Sequence, residues 1–92
     1  MRPVLWQTLA GTSGGHSRLR ILYLLSERPQ NANQLAKELS LNYTTVRYHL
    51  ERLEQNGLIE KTGQYAAVYL LTDQINEHWG TVEKINEAVN WE

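Results

Sequence analysis

From Asn42 to Arg52 the chain reads NYTTVRYHLER, and the groups there that could do chemistry are hydroxyls and guanidiniums, on Tyr43, Thr44, Thr45, Arg47, Tyr48 and Arg52. No paired carboxylates and no nucleophile with an adjacent base occur at recognisable spacing anywhere in the sequence, so an enzyme is not expected. The histidines, His16, His49 and His78, fall on three separate elements. They make no metal site, and neither a metal nor a cofactor is expected. What the Asn42–Arg52 set suits is recognition. Arg47 can bridge the edge of a guanine or clamp a phosphate, Thr44 and Thr45 can bond phosphate or touch a thymine methyl, and Tyr43 and Tyr48 hold hydroxyls at the ends of rigid rings. Carried on one face of a helix, these groups fit a major groove about 12 Å wide.

That face exists only if the helix is anchored on its other side. Val46, Leu50 and Leu53 recur at spacings of four and three and supply the anchor. Asn42 caps the helix start, where free amides favour a phosphate, and Gly57 stops it, giving a helix over 43–56. His49 lies beside the apolar stripe and is expected as a hydrogen-bonded residue at the core's edge. Upstream, Asn31 and Gln34 form a capping box for a helix running to about Leu39, with Leu35, Ala36 and Leu39 facing inward. The break between the two helices, Ser40-Leu41-Asn42, is so short that they must cross steeply, as in a helix-turn-helix.

The remaining elements follow from the same rules. Pro3 opens a short helix through Leu9, and GTSGG ends it. Leu19, Ile21, Leu22 and Leu25 mark a buried helix from His16 to about Glu27, closed by Arg28-Pro29. After Gly57, LIEKT and YAAVYLLT around a GQ turn predict a β-hairpin over 58–71, with Tyr65, Ala67, Tyr69 and Leu71 on one face. From Thr72 to about Trp91 the spacing of Ile75, His78, Val82, Ile85 and Val89 is a heptad seam, widened by Trp79. One straight helix of about 30 Å is expected. Its seam either folds back on its own domain or pairs with a second copy of the chain, and the strict heptad favours pairing.

The segment NANQLAKELSLNYTTVRYHLERLEQNGLIEK, followed by YLLT, resembles the ArsR-like winged-helix regulators, particularly small archaeal-type members. Leu35, Ala36 and Leu39 match the positioning helix of that family, and Thr45, Val46, His49, Leu50 and Leu53 match its recognition helix. Gly57, Leu58 and Ile59 match its GLI exit, and Tyr69, Leu71 and Thr72 match the close of its wing. The resemblance covers about Arg18 to Thr72. It implies a DNA-binding transcriptional regulator whose hairpin flanks the groove, with Lys61, Gln64 and Tyr65 in supporting contacts. Arg52, Arg18 and Arg20 are candidates to ring that site. Ser40 stands where many such sequences have glycine, and Asn42 replaces the usual serine cap. The metal-sensing branch uses a Cys-x-Cys pair or ligands on the last helix, and this sequence of 92 residues has no cysteine.

Composition agrees with a folded chain: 41% of residues are hydrophobic and 21% charged. The absence of cysteine excludes disulfides and thiolate metal sites, and fits a reducing compartment. No apolar run approaches the roughly 20 residues of a membrane span, so no membrane partner and a cytoplasmic location are expected. The net charge of −1 hides a division: Met1–Lys61 carries eight Lys or Arg against five acids, whereas Thr62–Glu92 carries one lysine against five acids. The basic part contains the recognition segment.

The expected architecture is thus mainly α with a small β-hairpin, a winged helix-turn-helix in a single domain over 1–92. Residues 1–15 form an N-terminal helix and Gly-rich loop, 16–71 the core, and 72–92 a C-terminal dimerisation helix. The expected partners are double-stranded DNA and a second copy, contacted through Ile75, His78, Trp79, Val82, Ile85 and Val89, with no effector identified. Two recognition helices would then meet half-sites about 34 to 36 Å apart. The alternative is a winged-helix protein-interaction module, which the mild net acidity favours slightly.

Overall fold

Asparagine side chains start two helices in the computed structural model of the chain, which describes residues 1–11, 14–63 and 67–89. Asn31 Oδ1 accepts from the Gln34 amide at 2.8 Å, and Gln34 Oε1 accepts from the Asn31 amide at 2.8 Å, opening α3 (Ala32–Leu39). Asn42 Oδ1 accepts from the Thr45 amide at 2.8 Å and opens α4 (Tyr43–Gln55). Each cap satisfies a first-turn amide that the helix cannot satisfy itself. Between the helices Ser40 takes φ 56 and ψ 40, the left-handed region where glycine is more usual. The Leu41 amide donates to the Ala36 carbonyl at 3.1 Å and closes the turn.

Before this pair come α1 (Arg2–Leu9), with proline in its first turn, and α2 (Gly15–Glu27). After it come the antiparallel strands β1 (Ile59–Thr62) and β2 (Val68–Leu71), with Lys61 opposite Tyr69. Gly57, at φ 76, makes the left-handed exit from α4 that its missing Cβ permits. Tyr69 also exchanges backbone hydrogen bonds with Gln30, at 2.8 and 3.2 Å, so the loop after α2 adds a bridge along the outer side of β2. The root of the hairpin is fastened by Thr72, whose hydroxyl donates to the Gly57 carbonyl at 2.8 Å. Helix, helix-turn-helix, hairpin and C-terminal helices follow in the order of a winged helix-turn-helix.

A single core joins all these pieces. Leu19, Leu22 and Leu25 of α2, Leu35 of α3, and Val46, Leu50 and Leu53 of α4 are buried together with Leu58 and Tyr69 of the hairpin. These are the periodic positions of the sequence.

The C-terminal segment differs from the expected straight rod. It forms α5 (Asp73–Glu77) and α6 (Trp79–Ala88), broken at His78, which leaves helical geometry at φ −110 and ψ 19. Gly80, of weak helix propensity, stands just beyond the break. The bend lets α6 lie against α1, and Ile75, Val82 and Ile85 have no exposed surface within the single chain. Half of the heptad seam is therefore core, in one cluster with Leu5 and Leu9. Within the single chain, that half of the seam folds back onto its own domain. His78, Trp79 and Val89 stay half-buried along its edge, and Trp79 meets Tyr23 edge to face at 5.2 Å. Trp91 lies outside the described residues. No helix among them is long and apolar enough to cross a membrane.

Candidate nucleic-acid interface

α4 has two unlike sides because its buried side chains leave the intervening positions no core to enter. Val46, Leu50 and Leu53 are fully buried and His49 nearly so. Asn42, Tyr43, Thr44, Tyr48 and Arg52 are exposed, Tyr48 by 54%, whereas Thr45 and Arg47 are half-buried. The face that sequence reasoning assigned to recognition therefore reaches solvent, with the capped helix start at one end. Lys61 is exposed on β1. Gln64 and Tyr65, expected beside it, lie outside the described residues.

Arg47 is the member of this set held by others. Its Nη1 donates to the phenolic oxygen of Tyr69 at 2.9 Å, and its Nη2 stands 3.9 Å from Glu51 Oε1. The Glu51 pair is solvent-exposed and long, so it contributes little. The Tyr69 bond is different, because Tyr69 is only 3% exposed. Burial raises the phenol above its ordinary pKa against the opposing pull of Arg47, so the hydroxyl stays neutral and Arg47 bonds to a neutral acceptor.

Arg18, a candidate to ring the site, lies elsewhere. It is buried on α2, where Nε donates to the Thr8 carbonyl at 3.0 Å and Nη1 lies 3.2 Å from His49 Nδ1. The sequence did hold a signal: Arg18 precedes Leu22 and Leu25 by four and then three, which puts it on the buried stripe. Its residue type argued against its position. His49 is the hydrogen-bonded edge-of-core residue that the sequence indicated, packed edge to face with Tyr48 at 5.6 Å. Burial, then the Arg18 charge, lowers the pKa of His49. A neutral imidazole accepting at Nδ1 carries its proton on Nε2. Burial likewise lowers the pKa of Arg18, with Tyr48 opposing and Arg52 adding to the effect. Gly14, at φ 86, passes so close that a Cβ there would stand 2.7 Å from His49 Cε1. This knot ties α1 and α2 to the inner side of α4.

Arg20 also stands apart from the recognition face. It opens with His16, Tyr23, Glu27, Glu38 and Asn86 onto a groove of about 400 Å³ beside α2, α3 and α6. Among the described residues no three His, Asp or Glu side chains gather as metal ligands.

Residues 16–61, half of the chain, match the family described as bacterial regulatory protein, arsR family. An uncharacterised HTH-type transcriptional regulator of Methanocaldococcus jannaschii is 46% identical over 43 residues, which are 47% of this chain and 45% of that protein. The chain thus spans a little under half of that relative. The solution structure of a homodimeric winged helix-turn-helix DNA-binding domain from Mycobacterium bovis, a possible ArsR-family regulator, superposes with a TM-score of 0.75 at 22% identity, covering 92% of this chain and 77% of that one. The transcriptional regulator BldR of Sulfolobus solfataricus gives a TM-score of 0.73 at 16% identity, covering 89% and 60%. At such identities the likeness is one of fold.

Proposed function

The chain belongs to the arsR family of bacterial regulatory proteins, and from that premise we propose that it is a transcriptional regulator binding double-stranded DNA sequence-specifically, with α4 in the major groove and the β1–β2 hairpin as flanking wing. The observation that carries this reading is the two-sidedness of α4: a fully buried apolar stripe beneath an exposed face of Tyr43, Thr44, Tyr48 and Arg52. In this reading Arg47 and Tyr48 address base edges, while Thr44, Thr45, Arg52, Lys61 and Gln64 contact the backbone and fix register. The capped start of α4, from Asn42, faces a phosphate.

The functional unit in this proposal is a homodimer. Support comes from the homodimeric M. bovis domain of the same fold and from apolar side chains left outside the core, Val4 and Trp6 on α1. Together with His78, Trp79 and Val89 along the edge of the C-terminal segment they supply the contact with the second copy, over the buried Ile75, Val82 and Ile85. Two recognition helices then reach half-sites about 34 to 36 Å apart.

Titration of the chain with random-sequence duplex at two salt concentrations tests the reading. Affinity is expected to fall steeply with salt, by a log–log slope of about −0.9 per phosphate neutralised. Replacing Arg47 and Tyr48 together by alanine is expected to weaken binding to a duplex selected from a random pool by at least about tenfold, with the melting temperature little changed. Unchanged affinity in that variant rejects α4 as the reading helix. Sedimentation of the free chain and of its complex reads out the second copy.

A further inference from the structure

We propose that Tyr69 is a positioning residue for DNA reading: from the inner strand of the wing, its phenolic oxygen holds the Arg47 guanidinium in the orientation in which α4 meets the groove. The inference rests on the DNA-binding reading above and names a residue that does not itself touch DNA.

Three observations carry it. Tyr69 is almost wholly buried, and its backbone lies between β1 and the loop after α2, held by two hydrogen bonds to Gln30 opposite its Lys61 neighbour. Its hydroxyl therefore occupies a place set by the fold rather than by solvent. The Arg47 bond to it, at 2.9 Å, joins residues 22 positions apart and, among the described residues, is the short tether on that side chain, since Glu51 stands 3.9 Å away. Bidentate recognition of guanine demands a particular plane of the guanidinium fork, and a long flexible arginine loses freedom in reaching it. A fixed acceptor on one nitrogen removes much of that freedom beforehand and leaves the other N–H groups for the base edge.

The same strand serves two contacts. Strand β2 holds Lys61 opposite Tyr69 through the residues on either side of that pair, while Tyr69 itself sets the posture of Arg47 through its side chain. Wing and recognition helix thus meet at one buried ring.

Tyr69→Phe tests this, because it keeps the ring and the strand and removes only the acceptor. Binding to a duplex selected by the wild-type chain is expected to weaken about three- to tenfold, the net scale of one hydrogen bond. Affinity for unselected duplex and the salt slope are expected to stay as they were, because no phosphate contact is lost. Combined with Arg47→Ala, the substitution is expected to add no further loss. In the free chain, NMR of the Arg47 side chain is expected to show faster exchange of its Nε–H in Tyr69→Phe. Equal weakening on selected and unselected duplex, additivity with Arg47→Ala, or an unaltered Arg47 resonance each overturns the proposal. Should Arg47→Ala itself leave selected binding intact, the recognition reading fails along with it. A silent Tyr69→Phe beside an impaired Arg47→Ala sinks this inference alone.

Discussion

Replacing Ile85 by alanine separates a core residue from a dimer seam. Ile85 has no exposed surface and shares its cluster with Leu5, Leu9 and Val82. The substitution removes three carbons, at about 0.8 kcal/mol each for lost transfer, and leaves a space that a helix pinned against α1 can close only in part. A loss of about 3 kcal/mol follows, within the range of about 2 to 5 measured for such truncations. For a domain of this size that is a fall in melting temperature of about 12 to 24 °C. The assay is chemical or thermal unfolding followed by circular dichroism over roughly a hundredfold range of protein concentration. Because the contacts lie within one chain, the same loss is expected at every concentration. A loss that appears only where a dimer is populated, or one below about 0.5 kcal/mol, refutes the assignment of Ile85 to the core of its own chain.

Three further outcomes follow from single residues. Asn42→Ala removes the acceptor for the Thr45 amide and is expected to cost about 1 kcal/mol in urea unfolding, with weaker DNA binding because the start of α4 frays. Gly14→Ala introduces a Cβ at φ 86 and 2.7 Å from His49 Cε1, so a destabilisation of about 2 kcal/mol or more is expected, the left-handed backbone alone supplying about 1 to 2; a melting temperature equal to wild type contradicts the packing of the knot. Burial holds the pKa of His49 in the folded chain below its ordinary value of 6.5, so the unfolded chain takes up the proton first. The stability from neutral His49 is then complete above about pH 6.5 and is lost as pH falls through the lowered folded value, whereas His49→Gln, uncharged throughout, is expected to flatten that decline in a series of unfolding curves.

Local chemistry made most of the helix-turn-helix legible. The Asn31–Gln34 box and the Asn42 cap act within one turn, and Val46, Leu50 and Leu53 declare their face by spacing alone. The exposed side of α4 followed from that face. What escaped the sequence depends on contacts between distant residues. The rod from Thr72 to Trp91 was read from a period that a folded-back helix and a paired one share, and the break at His78, which lets half of the seam enter its own domain, has no mark in that period. Arg18 was named only as a candidate to ring the site, and its placement was not legible because its partners, the Thr8 carbonyl and His49, are remote in the chain. The restraint of Arg47 was hidden for the same reason, since strand pairing brings Tyr69 within reach and no pattern near Arg47 announces it.

The stitching of the hairpin at Thr72 and Gln30 has a mechanical consequence. A wing hinged freely at its root could splay to suit whatever groove it met, whereas a hairpin pinned at Thr72 and Gln30 would, in the proposed complex, act as the fixed jaw of a caliper. Duplexes of unequal groove width would then be told apart by how much each must deform to fit, even at base pairs that no side chain reaches.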